Sequence, residues 1–484
     1  MATVLKRFSL LSYQDAEMTL PLFEAENEAS GSAVSVIIGP NGSSKSRALS
    51  RVIEELSFVH ESREPRPNKR RQVPPSDHAV LDYIIDGQRC RMERRGQHVV
   101  ALVDGEFRGV EDAPFPNRAM AISYLPTDKF RYSRSDDDDF YQYLGLRQAT
   151  NLTTTGALES KVIESLLSGL AEDEEFSNRL APWLALLGIS PQMGLVLTLS
   201  NVDFLKDNFA TFQREATHRL KRRRGLLRQL PVDLPHLLDQ IWLFFSKLPE
   251  ANWQKDPRGR GYEIALDLNT FISSQDDAKL WLQGIKAARD ADILRGPFLL
   301  LDKGSTRVRF SDLSSGEQQI IGTNVRLLAR LRPGSLIVID EPEISLHPEW
   351  QIRYVPTLLK SLDQQHSSHV IIATHSHFMV SDLDQGSSLV SARQEAGPKF
   401  SFFDGDVYGR SPENILYRVF GVATSGNLYV EGDLHSALKM LSGRKEFDKD
   451  ELGRIQARLG RVRSKDNPAL ELILEQIADA TESA

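Results

Sequence analysis

The stretch Ser335-Leu336-Ile337-Val338-Ile339-Asp340-Glu341-Pro342 settles the fold class. Leu336 to Ile339 are apolar without alternation, so both faces of the strand they form must be buried, the pattern of a strand inside a parallel sheet. The run stops at two adjacent carboxylates. Ligands of open α/β sheets bind at the carboxyl ends of the strands, which puts Asp340 and Glu341 where chemistry is done. Downstream, His369-Val370-Ile371-Ile372-Ala373-Thr374-His375-Ser376 reads as a second buried strand, ending in a histidine. Upstream, Leu313-Ser314-Ser315-Gly316-Glu317-Gln318-Gln319 reads as a serine-rich cap opening an amphipathic helix. Hydroxyls and amide N–H groups at a helix N-terminus attract anionic oxygen.

Further out, the apolar run Val34-Ser35-Val36-Ile37-Ile38 leads into Gly39-Pro40-Asn41-Gly42-Ser43-Ser44-Lys45-Ser46, with a helix expected from near Lys45. Strand, glycine loop and helix are the setting of a phosphate-binding loop. Backbone N–H groups across Gly39, Asn41, Gly42, Ser43 and Ser44 would wrap the β-phosphate of a nucleotide. Lys45 would reach the β- and γ-phosphates and the Ser46 hydroxyl would ligate Mg²⁺. Asp340 is the second Mg²⁺ residue, and Glu341 would polarise the attacking water. The loop departs from GxxxxGK[ST] at Ser44, where the last glycine belongs. A serine there can adopt helical φ/ψ, but it crowds the backbone near the phosphates.

Phosphate loop, serine-glycine helix opening, Asp-Glu strand end and histidine strand end follow one another as in ABC ATPases, and the LSSGEQQ run resembles the signature motif of that family. The resemblance implies an α/β fold: an ABC-type P-loop ATPase head, with a mixed sheet flanked by helices and an antiparallel β-subdomain, here carrying an α-helical insertion. It also implies a homodimer or higher homo-oligomer around ATP and Mg²⁺. Lys45, Ser46, Asp340, Glu341 and His375 of one copy would be completed by Ser314, Ser315, Gly316 and Glu317 of another, with His375 at the γ-phosphate. Glu341-Pro342-Glu343-Ile344-Ser345-Leu346-His347-Pro348 resembles the EPE-x-x-LHP stretch of RecF-like and OLD-like ATPases, with Ser345 to Pro348 in the D-loop position. Pro412 to Val422 resembles the segment after the histidine loop in PtuA-type ATPases, the ATPase halves of Septu and retron antiphage systems. That implies a separate effector partner, an HNH-type nuclease, and a role in antiphage defence. Three alternatives stay open. One is a RecF-like DNA-repair clamp. Another is a nucleotide-sensing scaffold with little turnover, which Ser44 favours and Glu341 disfavours. The third is a transporter motor, against which the long insertion and the LHP stretch argue.

The chain of 484 residues suits a head with insertions: 1–150 and 261–425 as the two head segments, 151–260 as the helical insertion, 426–484 as a helical tail. Hydrophobic content of 40% and charged content of 26% are those of a soluble globular protein. No apolar run reaches the roughly 18 residues of a membrane span, and the first residues read as a strand, not a signal peptide. A single cysteine, Cys90, excludes an internal disulfide. A cytoplasmic protein is expected. The net charge of −7 argues against a uniformly basic surface but not against a basic patch. Such a patch is Arg219, Lys221, Arg222, Arg223, Arg224 and Arg228. It reads either as a contact to DNA or RNA phosphates or as a solvated helix C-terminus with Gly225 just beyond it.

Elsewhere, residues 60–76 read as a charged, Pro-rich loop, 79–110 as hairpins turning at Asp86-Gly87 and Arg95-Gly96, and Asp136 to Asp139 as a solvated acidic loop. Leu158 to Leu248 read as helical throughout. After the strand Ala121 to Pro126 no glutamine marks the Q-loop, and neither Thr127 nor Asp128 is assigned there. Leu428-Tyr429-Val430-Glu431-Gly432-Asp433 resembles the first strand of a TOPRIM nuclease, but too little chain follows to complete one. Helices near Leu434–Leu441 and Leu470–Ile477 are expected instead.

Overall fold

The computed structural model describes residues 7–24, 31–64, 74, 76–125, 127–132, 140–145, 155–200, 208–224, 234–255, 261–291, 293–362, 367–380, 383, 386–394, 397–403, 417, 428–462 and 468–483. At its centre is a sheet of seven strands in the order β18-β17-β3-β16-β15-β8-β9. They are β3 (Ala33–Ile38), β8 (Ala119–Ser123), β9 (Tyr141–Tyr143), β15 (Leu336–Asp340), β16 (His369–Thr374), β17 (Ser388–Gln394) and β18 (Pro398–Phe402). Every neighbouring pair is parallel except β17 and β18 at one edge. β3, β15 and β16 are buried along their whole length, as their unbroken apolar runs require. Alternate residues feed two different cores. Val34, Val36, Ile337, Ile339, Val370 and Ile372 point into one, and Ile37, Leu336, Val338, Ile371 and Ala373 into the other.

The second core is closed by α1 (Lys45–Arg63) and by an antiparallel sheet ordered β2-β1-β4-β5-β6-β7. Its strands are β1 (Phe8–Asp15), β2 (Thr19–Pro21), β4 (His78–Ile85), β5 (Gln88–Arg95), β6 (His98–Val103) and β7 (Glu106–Arg108). The Asp86-Gly87 turn has both residues at positive φ, 51° and 80°, the backbone a tight hairpin needs. The first core holds α8 (Ser315–Arg330), α9 (Pro348–Ser361), α2 (Thr155–Glu172) and α3 (Phe176–Leu186). The expected mixed sheet, flanking helices and antiparallel subdomain of an ABC-type head are therefore present.

The stretch expected to be helical throughout is corrected. It contains β10 (Ile189–Ser200), the middle strand of a five-stranded antiparallel sheet ordered β11-β12-β10-β13-β14. Its partners are β11 (Trp253–Lys255), β12 (Gly261–Asp267), β13 (Leu294–Lys303) and β14 (Thr306–Arg309). Leu195, Leu197 and Leu199 alternate into the core with the period of a strand. The hairpin β13–β14 turns at Gly304 (φ 59°) and leads to α8. α2 and α3 pack on α8 and α9 and share their core with the central sheet.

The tail holds three helices, α10 (Leu428–Leu441), α11 (Lys449–Arg461) and α12 (Pro468–Ser483), around a small core of their own. α11 was not foreseen. Leu428 to Asp433 are helical, so the strand a TOPRIM domain would need is not formed there. Asp433 accepts two hydrogen bonds from Arg458, 2.7 and 2.8 Å, and one from Tyr417. The segments 65–73, 136–139 and, apart from Tyr417, 412–422 lie outside the described residues. Among the described residues no helix is long and apolar enough to cross a membrane.

His369 opens β16 and ties the two sheets together. Its Nδ1 accepts from the Leu10 amide at 2.9 Å. The Ser35 hydroxyl, 2.8 Å from Nε2, donates its own proton to the Leu22 carbonyl. Nε2 must therefore donate, and the ring is neutral. Burial lowers its pKa from 6.5 to about 3. As pH falls below 6.5 the unfolded chain takes up a proton that the folded one refuses, so stability is lost towards acid, by about 1.4 kcal/mol per pH unit. Denaturation between pH 7 and 5 should show a steeper loss in the wild type than in His369→Gln; equal slopes would mean that the ring is protonated in place.

Candidate ATP site

The carboxyl ends of three adjacent strands, β3, β16 and β15, bring Lys45, Ser46, His375, Asp340 and Glu341 together. The loop after β3 is shaped by contact. A Cβ on Gly39 would lie 2.2 Å from the Ala392 carbonyl oxygen on β17, so only glycine fits. Gly42 sits at φ 80°. Ser44 sits at φ 67°, left-handed, not in the helical conformation open to a serine there. The serine takes the backbone of the glycine it replaces, at a cost of about 1–2 kcal/mol. Among the described residues, the amides of Asn41, Gly42 and Ser44 donate to no protein acceptor, whereas that of Ser43 is bound to the Pro40 carbonyl at 3.3 Å. The Ser43 hydroxyl is buried without a partner.

Lys45 folds back into this loop. Its ammonium donates to the carbonyls of Gly39 (2.9 Å) and Pro40 (3.3 Å), lies 3.0 Å from both ring nitrogens of His375 and is 4.0 Å from Glu341 Oε1. Burial lowers its pKa to about 8, against the upward pull of Glu341, Glu343 and Asp340. The Ser46 hydroxyl donates to Asp340 Oδ1 at 2.9 Å. The other Asp340 oxygen is buried with no partner. Burial raises the Asp340 carboxyl to about 7; the Ser46 hydrogen bond and Lys45 resist this, and the charges of Glu341 and Asp128 add to it. A buried orphaned carboxylate oxygen beside a hydroxyl is a hard-oxygen donor set that fits Mg²⁺.

Glu341 has φ 53°, and its Oε1 is 2.7 Å from His375 Nε2. Burial alone would raise this carboxyl, but the hydrogen bond from His375 and the charge of Lys45 help to hold the group below its ordinary value. His375 Nδ1 contacts the Gly39 carbonyl at 2.8 Å. A left-handed glutamate at the end of a buried strand is strain of the kind that functional sites retain.

Ser314 caps α8 in a full capping box with Glu317: its hydroxyl accepts from the Glu317 amide at 3.4 Å, and its amide donates to the Glu317 carboxylate at 2.9 Å. Lys303 holds the other Glu317 oxygen. Ser314 and Ser315 are exposed. Gly316 is buried under the D-loop position, where a Cβ would come within 2.5 Å of the Ser345 carbonyl oxygen, and Gln319 donates to the Ile344 carbonyl at 2.8 Å. Among the described residues no hydrogen bond or ion pair joins Ser314, Ser315 or Glu317 to the five residues gathered around Lys45.

Two residues near the site were not picked out from the sequence as functional. Asp128 is buried, accepts from the Tyr143 hydroxyl and acts electrostatically on Asp340. Glu343 binds the turn that carries His375. Its place in the Glu341-Pro342-Glu343 run directly after Asp340 was the available signal. Arg219 to Arg224 lie on α4 (Phe209–Arg224), with Arg222 to Arg224 in its last turn; Gly225 and Arg228 lie outside the described residues.

Residues 129–381, more than half of the chain, match the family described as "AAA domain, putative AbiEii toxin, Type IV TA system". The chain belongs to this AAA-domain family. As a member it is a P-loop ATP-binding protein of the ATPase class. The family match begins after the phosphate loop and ends just past the histidine loop. Among solved structures, the SMC head domain from Thermotoga maritima is similar over 82% of this AAA-domain chain and 100% of that one, at 12% identity and a TM-score of 0.36. The Smc head with an extended coiled coil bound to the C-terminal domain of ScpA, from Pyrococcus furiosus, aligns over 82% and 96%, at 13% identity and a TM-score of 0.34. The Smc head with a coiled coil and joint, from Pyrococcus yayanosii, aligns over 83% and 98%, at 11% identity and a TM-score of 0.33. Likenesses this remote say nothing about what this AAA-domain protein acts on. No curated protein matches it.

Proposed function

We propose that this chain hydrolyses ATP at sites shared between two copies of itself and that the closed pair governs a separate effector. The convergence of Lys45, Ser46, Asp340, Glu341 and His375 carries the reading. Lys45 exchanges the Gly39 and Pro40 carbonyls for β- and γ-phosphate oxygens, and the free amides of Asn41, Gly42 and Ser44 line the same loop. Ser46 and Asp340 are the residues that would hold Mg²⁺, which supplies charge neutralisation between the phosphates. Glu341, fixed by His375, takes the proton of the water that attacks the γ-phosphorus, and the bond to the ADP oxygen breaks. The exposed Ser314 and Ser315, with Gly316 and Glu317 behind them, present a helix N-terminus to the γ-phosphate of a second copy.

The finer role is an ATPase subunit in antiphage defence that regulates an HNH-type nuclease. Its supports are the resemblance of Pro412 to Val422 to PtuA-type ATPases and the family description, whose words are "putative AbiEii toxin, Type IV TA system". A cytoplasmic setting goes with this role.

The direct test is turnover. Purified protein with ATP and Mg²⁺ should release phosphate, and Lys45→Ala should abolish nucleotide affinity or turnover, since it removes the only cation of the loop. Full activity in that variant would sink the assignment.

A second reading, a clamp on DNA or RNA, rests on the basic end of α4. Charge reversal at Arg222, Arg223 and Arg224 should weaken nucleic-acid binding in a salt-dependent way and leave ATPase activity near normal. Unchanged affinity would make these residues a solvated helix end.

A further inference from the structure

The segment after Glu341 does more than follow it. Glu343 Oε1 accepts from two consecutive backbone amides, His375 at 2.6 Å and Ser376 at 3.1 Å. The same turn is held from the other side, where the Ser376 hydroxyl donates to Gln351 Oε1 at 2.6 Å and Gln351 Nε2 donates to the Leu346 carbonyl at 2.9 Å. Ser376 also binds within the turn, through its amide to the Thr374 hydroxyl at 2.9 Å and through its hydroxyl to the Phe378 amide at 3.2 Å. Among the described residues the polar contacts of the His375 ring, by contrast, go only to groups of the ATP site: Gly39, Lys45 and Glu341. Its place there is therefore set by its backbone, and Glu343 grips that backbone at the histidine itself.

Glu343 is in turn fixed from outside the site. Its own carbonyl accepts from the Leu346 amide at 3.0 Å, closing the turn. The next carbonyl, of Ile344, accepts from Gln319 on the signature helix, and Ser345, at φ 64°, lies against Gly316. One side-chain oxygen accepting two consecutive amides is a two-point, short-range clamp.

We infer that Glu343 is a positioning residue: its carboxylate, anchored to the start of the signature helix through Ile344 and Ser345, holds the His375 backbone so that the imidazole stays between Lys45 and Glu341. The inference rests on the ATPase reading above. It requires an acceptor oxygen at this position rather than a charge, because both partners are uncharged amides.

The experiment compares Glu343→Ala and Glu343→Gln in the full chain, alone and with His375→Ala. Glu343→Gln keeps an oxygen at the same reach and should retain turnover within about threefold. Glu343→Ala should lower kcat by about 10–100-fold, with the KM for ATP little changed, since Lys45 and the loop amides are untouched; positioning losses of this size are ordinary. In the His375→Ala background Glu343→Ala should add nothing, because the residue it positions is gone. Hydrogen exchange gives a readout without turnover: peptides covering 374–378 should lose protection in Glu343→Ala and keep it in Glu343→Gln. Wild-type turnover in Glu343→Ala, equal inactivity of a folded Glu343→Gln, or additive losses with His375→Ala would each overturn the inference. A wild-type chain that hydrolyses no ATP would instead sink the ATPase reading, and the exchange comparison would still decide whether Glu343 holds the turn.

Discussion

Glu341→Gln is expected to lower ATP turnover by roughly 10²–10⁴, the range for losing a general base, while ATP stays bound. The amide has the size of the carboxylate, and its oxygen can still accept from His375 Nε2, which now lies 2.7 Å from Glu341 Oε1. Ser46, Asp340 and Lys45 are not touched. What disappears is the ability to take the proton of the attacking water. ATP trapped in this way should keep two copies closed, so the variant should elute as a dimer with ATP and Mg²⁺ and as a smaller species without them. Phosphate release at the wild-type rate would show that Glu341 is not the base, and the adjacent Glu343 would become the residue to test.

The second large effect concerns the sharing of sites. Ser314→Arg puts a bulky cation at an exposed helix N-terminus that, among the described residues, makes no hydrogen bond or ion pair to its own Lys45 site. It should bind ATP and fail to hydrolyse it. Lys45→Ala should be inactive for the opposite reason. Mixed together, the two dead proteins should recover activity, because a mixed dimer pairs the intact phosphate loop of one with the intact Ser314 of the other. In a two-fold dimer one of the two sites is then whole, and random mixing makes about half the dimers mixed, so recovery should approach about a quarter of wild type. No recovery, with mixed dimers demonstrated by tagged pull-down, would mean that each chain works alone.

The parts that were legible in the sequence are those whose signal is local. β3, β15 and β16 are buried on both faces, and a strand with no solvent side is written as an unbroken apolar run. The Asp86-Gly87 turn is likewise legible, because positive φ restricts residue choice. β10 was hidden by its surroundings. Pro191 and Gly194 break its first half, and the alternation of Leu195, Leu197 and Leu199 is short beside the helical patterns on either side. α11 was hidden by Gly453 and Gly460, although Leu452, Ile455 and Leu459 fall on one face and are buried. Within the site, Lys45, Ser46, Asp340, Glu341 and His375 could be named because their chemistry follows from residue type and strand end. The left-handed Ser44 could not, since serine prefers other backbone regions and only the loop's closure imposes this one. Nor could the grip of Glu343 on the His375 amide, because it joins two turns 32 residues apart.

Gly316 leaves no gap between the start of the signature helix and the Ser345 carbonyl, and Gln319 pins the neighbouring Ile344. These two edges of a would-be interface therefore cannot arrive at a second copy separately. A pair that engages by one edge alone is not a resting place, and association should look like a latch, either shut or open. Dimer formation would then follow ATP with a power approaching two, one ATP for each shared site, and not in two separate steps.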